Sequence, residues 1–299
     1  MTEEHLSKER QLTRIMQWEQ TLNHLYINFW NYSHDALKQF ADEDIHQARV
    51  NCRKLLSLLS ILDPAHTSGL YPIFKKAQKR LGKVRDTDVL IQSFKLKRTQ
   101  TKKNGDSKTA NLLKAVITYE KNRRKAYRNK LAKELPKLVN EDLDTQWKTF
   151  LNEQLEAMVL NKNVNVVMRE LEISYEQKKK ACKAIFQLDN AASKEAFDAL
   201  HQLRIAAKKL RYTASAADFA LNQKFHAHEE IYKRIQDQLG QINDRRMWLE
   251  TLNAIGREEL EIGKQTWSSF TSQLEAEVLE ALQQNDVVPI RTSLFNGCI

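Results

Sequence analysis

The stretch His201-Gln-Leu-Arg-Ile-Ala-Ala-Lys-Lys-Leu-Arg211 divides, at about 100° per residue, into two unlike helix faces. Arg204, Lys208, Lys209 and Arg211 fall within about 80° of His201. Leu203, Ala206, Ala207, Leu210, Ala214 and Ala217 gather on the opposite side. That small apolar side suits close helix packing. The other side holds four cations and an imidazole with no acid among them, whereas a solvated helix face mixes its charges so that i,i+4 pairs form.

The rest of the chain is written in the same helical vocabulary. Seven glycines and four prolines in 299 residues leave few sharp turns. Lys, Glu, Gln, Leu and Ala, good helix formers, dominate, so the fold class is all-α. A net charge of +10 and a pI near 9.3 favour a polyanionic partner such as nucleic acid, anionic lipid or a phosphate polymer. Cys52, Cys182 and Cys298 are scattered and odd in number, which argues against a disulfide framework or a zinc site and fits a reducing cytoplasm. The longest apolar run, Leu55–Leu62, is broken by serines, and Met-Thr-Glu-Glu-His lacks a leader's apolar core. No membrane segment is expected.

Helices are expected over about 6–39, with the stripe Trp18, Leu22, Leu25, Phe29 and Trp30, then 44–62, 72–98 and 108–135. Asp63-Pro64 stops the second of these, and Pro72 suits the first turn of the third. Thr99–Ser107 reads as a loop by its polarity. A connector over 141–160 contains an amphipathic helix of about 146–160, and helices of about 164–189, 193–220, 225–254 and 257–284 follow. A tail over 286–299 has no periodic pattern. His226-x-His228 beside Glu229-Glu230 resembles a metal string, yet on a helix its imidazoles would diverge, so it reads as a surface feature.

An internal repeat organises the whole. His46-Gln-Ala-Arg49-Val-Asn-Cys-Arg53-Lys54-Leu55 matches His201-Gln-Leu-Arg204-Ile-Ala-Ala-Lys208-Lys209-Leu210 at a shift of 155, with cations again on one face and Ala48, Leu55, Leu58, Leu59 and Leu62 on the other. Leu81-Gly82-Lys-Val-Arg-Asp86 matches Leu239-Gly240-Gln-Ile-Asn-Asp244 at a shift of 158. Paired cations, Lys75-Lys76 and Lys233-Arg234, precede each glycine. Lys79, Arg80 and Lys83 extend the earlier basic face opposite Phe74, Ala77, Leu81 and Val84. The later copy keeps Ile231, Ile235, Leu239 and Ile242 as its apolar face but has Asp237, Gln238 and Gln241 at the cationic positions. Each mid-helix glycine costs about 1 kcal/mol against alanine, which calls for close helix approach or a local break. Asp86 and Asp244 are expected to orient cations across the helix interface.

These paired motifs, His-x-x-Arg with further cations and then Leu-Gly-x-x-x-Asp, twice and in order, resemble the CHAD family, the conserved histidine α-helical domain. The resemblance covers about residues 6–285 and implies one domain made of two pseudo-symmetric antiparallel four-helix bundles, halves 6–140 and 161–285. It further implies a basic central pore or groove that binds inorganic polyphosphate; the expected location is the cytoplasm, and polyphosphate-granule targeting, regulation of a partner and passive sequestration all fit the same residues. Carried over by position, the binding residues are His46, Arg49, Arg53, Lys54, Lys75 and Lys76, with Lys79 on the same face, and His201, Arg204, Lys208, Lys209, Arg211, Lys233 and Arg234. Asp86, Asp244, Gly82 and Gly240 support them. Position 56 is Leu where the later copy has Arg211, so the halves are unequal.

A flexible polyanion needs cations held in a line, and Arg adds bidentate bonds where Lys adds point charge. Among cations a histidine tends to stay neutral and donate a hydrogen bond, whereas a bound polyanion favours its protonation; the binding energy is expected from Arg and Lys. No metal or cofactor is called for. Catalysis on phosphate is disfavoured, because the basic faces carry no carboxylate pair for a divalent ion and there is no Walker-type loop. Glu259-Leu-Glu261-Ile-Gly-Lys264 has the wrong spacing for a triphosphate-tunnel signature. A nucleic-acid-binding module is the alternative, although these faces offer Tyr212 as their only aromatic for base stacking.

Overall fold

Apolar residues recurring every third or fourth position decide which side of the first helix, α1 (Glu3–Gln39), is buried. Trp18, Leu22, Leu25, Tyr26 and Phe29 are inside, and Trp30 packs partly against them. The computed structural model describes residues 3–186, 193–222, 225, 229–284 and 287, and every regular element among them is helical. The tail, residues 187–192 and the His226/His228 string lie outside the described residues, Val287 excepted.

Helix α2 (Asp42–Leu62) begins with Asp42, Glu43 and Asp44, whose charges favour a helix N-terminus. It packs along α1. At its end Asp63 accepts hydrogen bonds from the backbone and hydroxyls of Thr67 and Ser68 at 2.7–2.9 Å, fixing the turn before α3 (Leu70–Lys103). Gly69 takes a positive φ of 72° in that turn.

Helix α3 runs through Thr99–Lys103, which composition alone marks as loop. Thr99 and Thr101 turn their hydroxyls back to the carbonyls of Lys95 and Lys97 at 3.0 and 2.8 Å, so their polarity is satisfied within the helix. The break comes at Gly105, with φ of 79°. Asp106 then accepts from the Thr109 amide at 3.0 Å to start α4 (Ser107–Glu134).

Asn140 caps α5 (Glu141–Thr149) through the Leu143 amide. A π-helical turn, Phe150–Gln154, joins it to α6 (Leu155–Leu160). There follow α7 (Val164–Phe186), α8 (Lys194–Ala216), a 3-10 turn (Asp218–Ala220), α9 (Glu229–Ile255) and α10 (Lys264–Gln283). The expected helix over 257–284 thus starts later, after turns over 257–261 that include Glu261 at a φ of 54°.

Two compact units form. The first takes residues 1–89, 121–168 and 212–226, the second 90–120, 169–211 and 227–299. This grouping cuts across the sequence halves 6–140 and 161–285, because α3, α4, α7 and α8 each give residues to both units. The first unit's core joins the α1 stripe to the α2 leucines, Phe74, Ala77, Leu81, Val84, Trp147 and Phe150. A core in the second unit joins Ile91, Phe94, Leu112, Val116, Leu252, Phe270 and Leu274. Among the described residues no helix is long and apolar enough to cross a membrane.

Candidate functional site

In the first unit the apolar face of α2 places its cations. Ile45, Ala48, Cys52, Leu55, Leu58 and Leu59 are fully buried. That fixes His46, Arg49, Arg53 and Lys54 on the other side, each half-buried.

Arg49 lies along α3. A Cβ at Gly82 would meet its Nε at 3.6 Å and Asp86 Oδ2 at 3.9 Å, an ordinary contact distance. Its Nη2 donates to Asp86 Oδ1 at 3.2 Å. The Arg49 side chain is 24% exposed and that of Asp86 69%. Burial, then neighbouring Arg53, lower Arg49's ionisation from its ordinary value, and Asp86 opposes them. Asp86 of α3 thus meets a cation of α2. Gly82 faces the Arg49 side chain, and α3 passes through it unbroken.

Arg53 has an aromatic partner. Its guanidinium carbon stands 4.4 Å from the centre of the Tyr212 ring, and its Nη1 donates to the Tyr212 hydroxyl. Burial first, and then Arg85, hold the His46 imidazole below its ordinary value of 6.5; Glu43 opposes, and Arg49 and Arg53 add to the depression. Burial and the surrounding cations thus both disfavour the imidazolium here.

Arg85 belongs to this field and has no place in the repeat-derived set. The position matching it in the later copy is Asn243, so a filter that keeps what recurs discards it. Lys75, Lys76 and Lys79 are exposed along α3, with Lys75 donating to Gln78 at 3.3 Å. Arg80 instead pairs with Glu134, which also lies 3.7 Å from Lys130. Lys83 and Arg123 both reach the Tyr127 ring, at 5.4 and 5.5 Å.

Sequence reading also gave no role to Arg124 and Arg128 of α4. Both point at Asp88, which is 1% exposed; its Oδ1 is 2.8 Å from Arg124 and 3.5 Å from Arg128. Burial pushes the Asp88 carboxyl up, Asp42 adds to this, and the two arginines pull against it. These arginines act as structural counterions to a buried acid.

In the second unit, Leu203, Ala206, Ala207 and Leu210 of α8 are buried as their face predicts. His201 and Lys209 are exposed, and Arg204, Lys208 and Arg211 half-buried. On α9, Lys233 and Arg234 are exposed, with Glu230 3.8 Å from Lys233.

Two expectations change on α9. Ile231 is 44% exposed. The buried stripe is Tyr232, Ile235, Leu239 and Ile242, whose three- and four-residue steps exclude Ile231; the Tyr232 hydroxyl donates to Glu172. A Cβ at Gly240 would meet nothing within 4 Å, and Asp244 is exposed. The packing seen at Gly82 is thus not repeated at Gly240, and α9 continues through it without a break.

The CHAD domain family model matches residues 23–253. Among solved structures, a crystal structure of the CHAD domain from the plant Ricinus communis shares the fold with a TM-score of 0.60 at 20% identity, covering 91% of this chain and 88% of that chain. No curated protein matches the chain.

Proposed function

Because this chain belongs to the CHAD family, we propose that it is a non-catalytic binder of inorganic polyphosphate. The observation that carries this reading is the α2 face. There Arg49 and Arg53 are each held by a partner, Asp86 and Tyr212, beside Lys54 and His46. Cations fixed on a helix lose less freedom on binding than a disordered basic tail would. The equivalent cations of α8 give the second unit a basic face of its own. The pseudo-symmetric pair of four-helix bundles, the basic pore or groove and the cytoplasmic or granule setting implied by the family resemblance belong to the same proposal.

The Tyr212 ring weighs against the nucleic-acid reading. Single-strand binders stack bases on open aromatic faces, and Arg53 occupies a face of this ring. The test is a titration of long-chain polyphosphate, RNA and double-stranded DNA at several salt concentrations. Polyphosphate is expected to bind tightest. About eight phosphate contacts, by analogy with single strands, give a log K against log salt slope of about −6. Equal or tighter RNA binding overturns the choice. Release of orthophosphate with a divalent metal present would overturn the non-catalytic part.

A further inference from the structure

We infer that Tyr212 is a positioning residue for anion binding: its ring and hydroxyl hold the Arg53 guanidinium so that an edge of the guanidinium is left for phosphate oxygens. The inference rests on the polyphosphate reading and adds to it a residue outside the cationic set.

The cations of α2 repel one another, and Arg53 is close enough to Arg49 to lower its ionisation. Asp86, an acid that meets this face, is engaged by Arg49. Arg53 needs a partner that restrains it without neutralising it. A carboxylate would hold the guanidinium but compete with phosphate for its donors. An aromatic ring holds a cation through its quadrupole and leaves the charge in place. The guanidinium carries five donors; its carbon stands 4.4 Å from the ring centre and its Nη1 donates to the phenol, so further donors are left for phosphate oxygens.

Tyr212 is itself anchored. Thr213, Ala214, Ala216 and Ala217 after it are buried, and Phe219 of the following turn meets Trp18 edge-on at 5.1 Å. The repeat does not reproduce the device. At a shift of 155 the match to Tyr212 is Ser57 and the match to Arg53 is Lys208. Ser57 has no ring, and its hydroxyl donates to the Arg53 carbonyl at 3.1 Å.

The test is a double-mutant cycle on the full chain, with long-chain polyphosphate as the probe and circular dichroism to check helicity. Tyr212→Leu is expected to weaken binding about tenfold in the wild-type background and to have no further effect in Arg53→Ala, because it acts through that arginine. Tyr212→Phe keeps the ring and is expected to stay within about threefold of wild type. Arg53→Ala alone weakens binding and makes the salt slope shallower by about 0.7. Wild-type affinity in Tyr212→Leu, or an equal loss in both backgrounds, overturns the inference while polyphosphate binding stands. A wild-type chain that binds no polyphosphate removes both.

Discussion

His46 shows how a single side chain couples binding to pH. Burial and Arg85 depress its ionisation below 6.5, so the folded chain takes up this proton less readily than the unfolded chain. The stability associated with neutral His46 is full above pH 6.5 and declines as pH falls toward the lowered folded value. A polyanion acts in the opposite direction and favours the imidazolium. Polyphosphate is therefore expected to raise the His46 titration midpoint, and affinity to rise as pH drops from 7.5 to 6. NMR titration of the ring protons with and without ligand checks this, and a midpoint unmoved by ligand would place His46 outside the site. At this scale the sequence revealed the cations. It did not reveal which groups hold them, because Tyr212 reaches Arg53 from far along the chain and Arg85 leaves no trace in the repeat.

Helix boundaries were legible where glycine, proline or a cap marks them, and were missed where polar residues continue a helix. Thr99–Lys103 is the example: threonines that bond back to their own helix look the same in sequence as a loop. The π turn is a subtler case. Leu143, Trp147, Phe150, Leu155 and Val159 are all buried, and the five-residue step from Phe150 to Leu155 would rotate the stripe by about 140° in a regular α-helix. The Leu155 amide instead bonds to the Phe150 carbonyl, and the wider turn keeps both residues inside. Deleting exposed Glu153 should restore ordinary spacing and change stability by less than about 1 kcal/mol. Inserting an alanine there should cost several times more, and urea unfolding of the two variants compares them.

Across the whole molecule, the repeat led to the family and to the equivalent basic helices, but it did not reveal how the compact units are composed. Four helices pass residues to both units, and periodicity within a helix says nothing about where along its length its neighbours change. The copies also differ in detail, with Gly82 against Arg49 and Gly240 facing open space. If both copies contribute to one ligand, Arg204→Ala combined with Lys208→Ala should keep helicity. It should weaken polyphosphate binding by more than tenfold and flatten the salt slope by about 1.4. Unchanged affinity would assign binding to the first copy alone.

The buried thiols give the chain a pair of built-in clocks. Cys52 is sealed within the first unit, its sulfur donating to the Phe74 carbonyl at 3.2 Å, and burial pushes its ionisation up to about 12. Cys182 is buried in the second unit and pushed up to about 11. Neither sulfur can react with a thiol reagent until the packing around it opens. With Cys298 replaced by serine, labelling followed by peptide mass spectrometry would time the opening of each core separately in one sample, and would show whether a bound polyanion slows one of them or both.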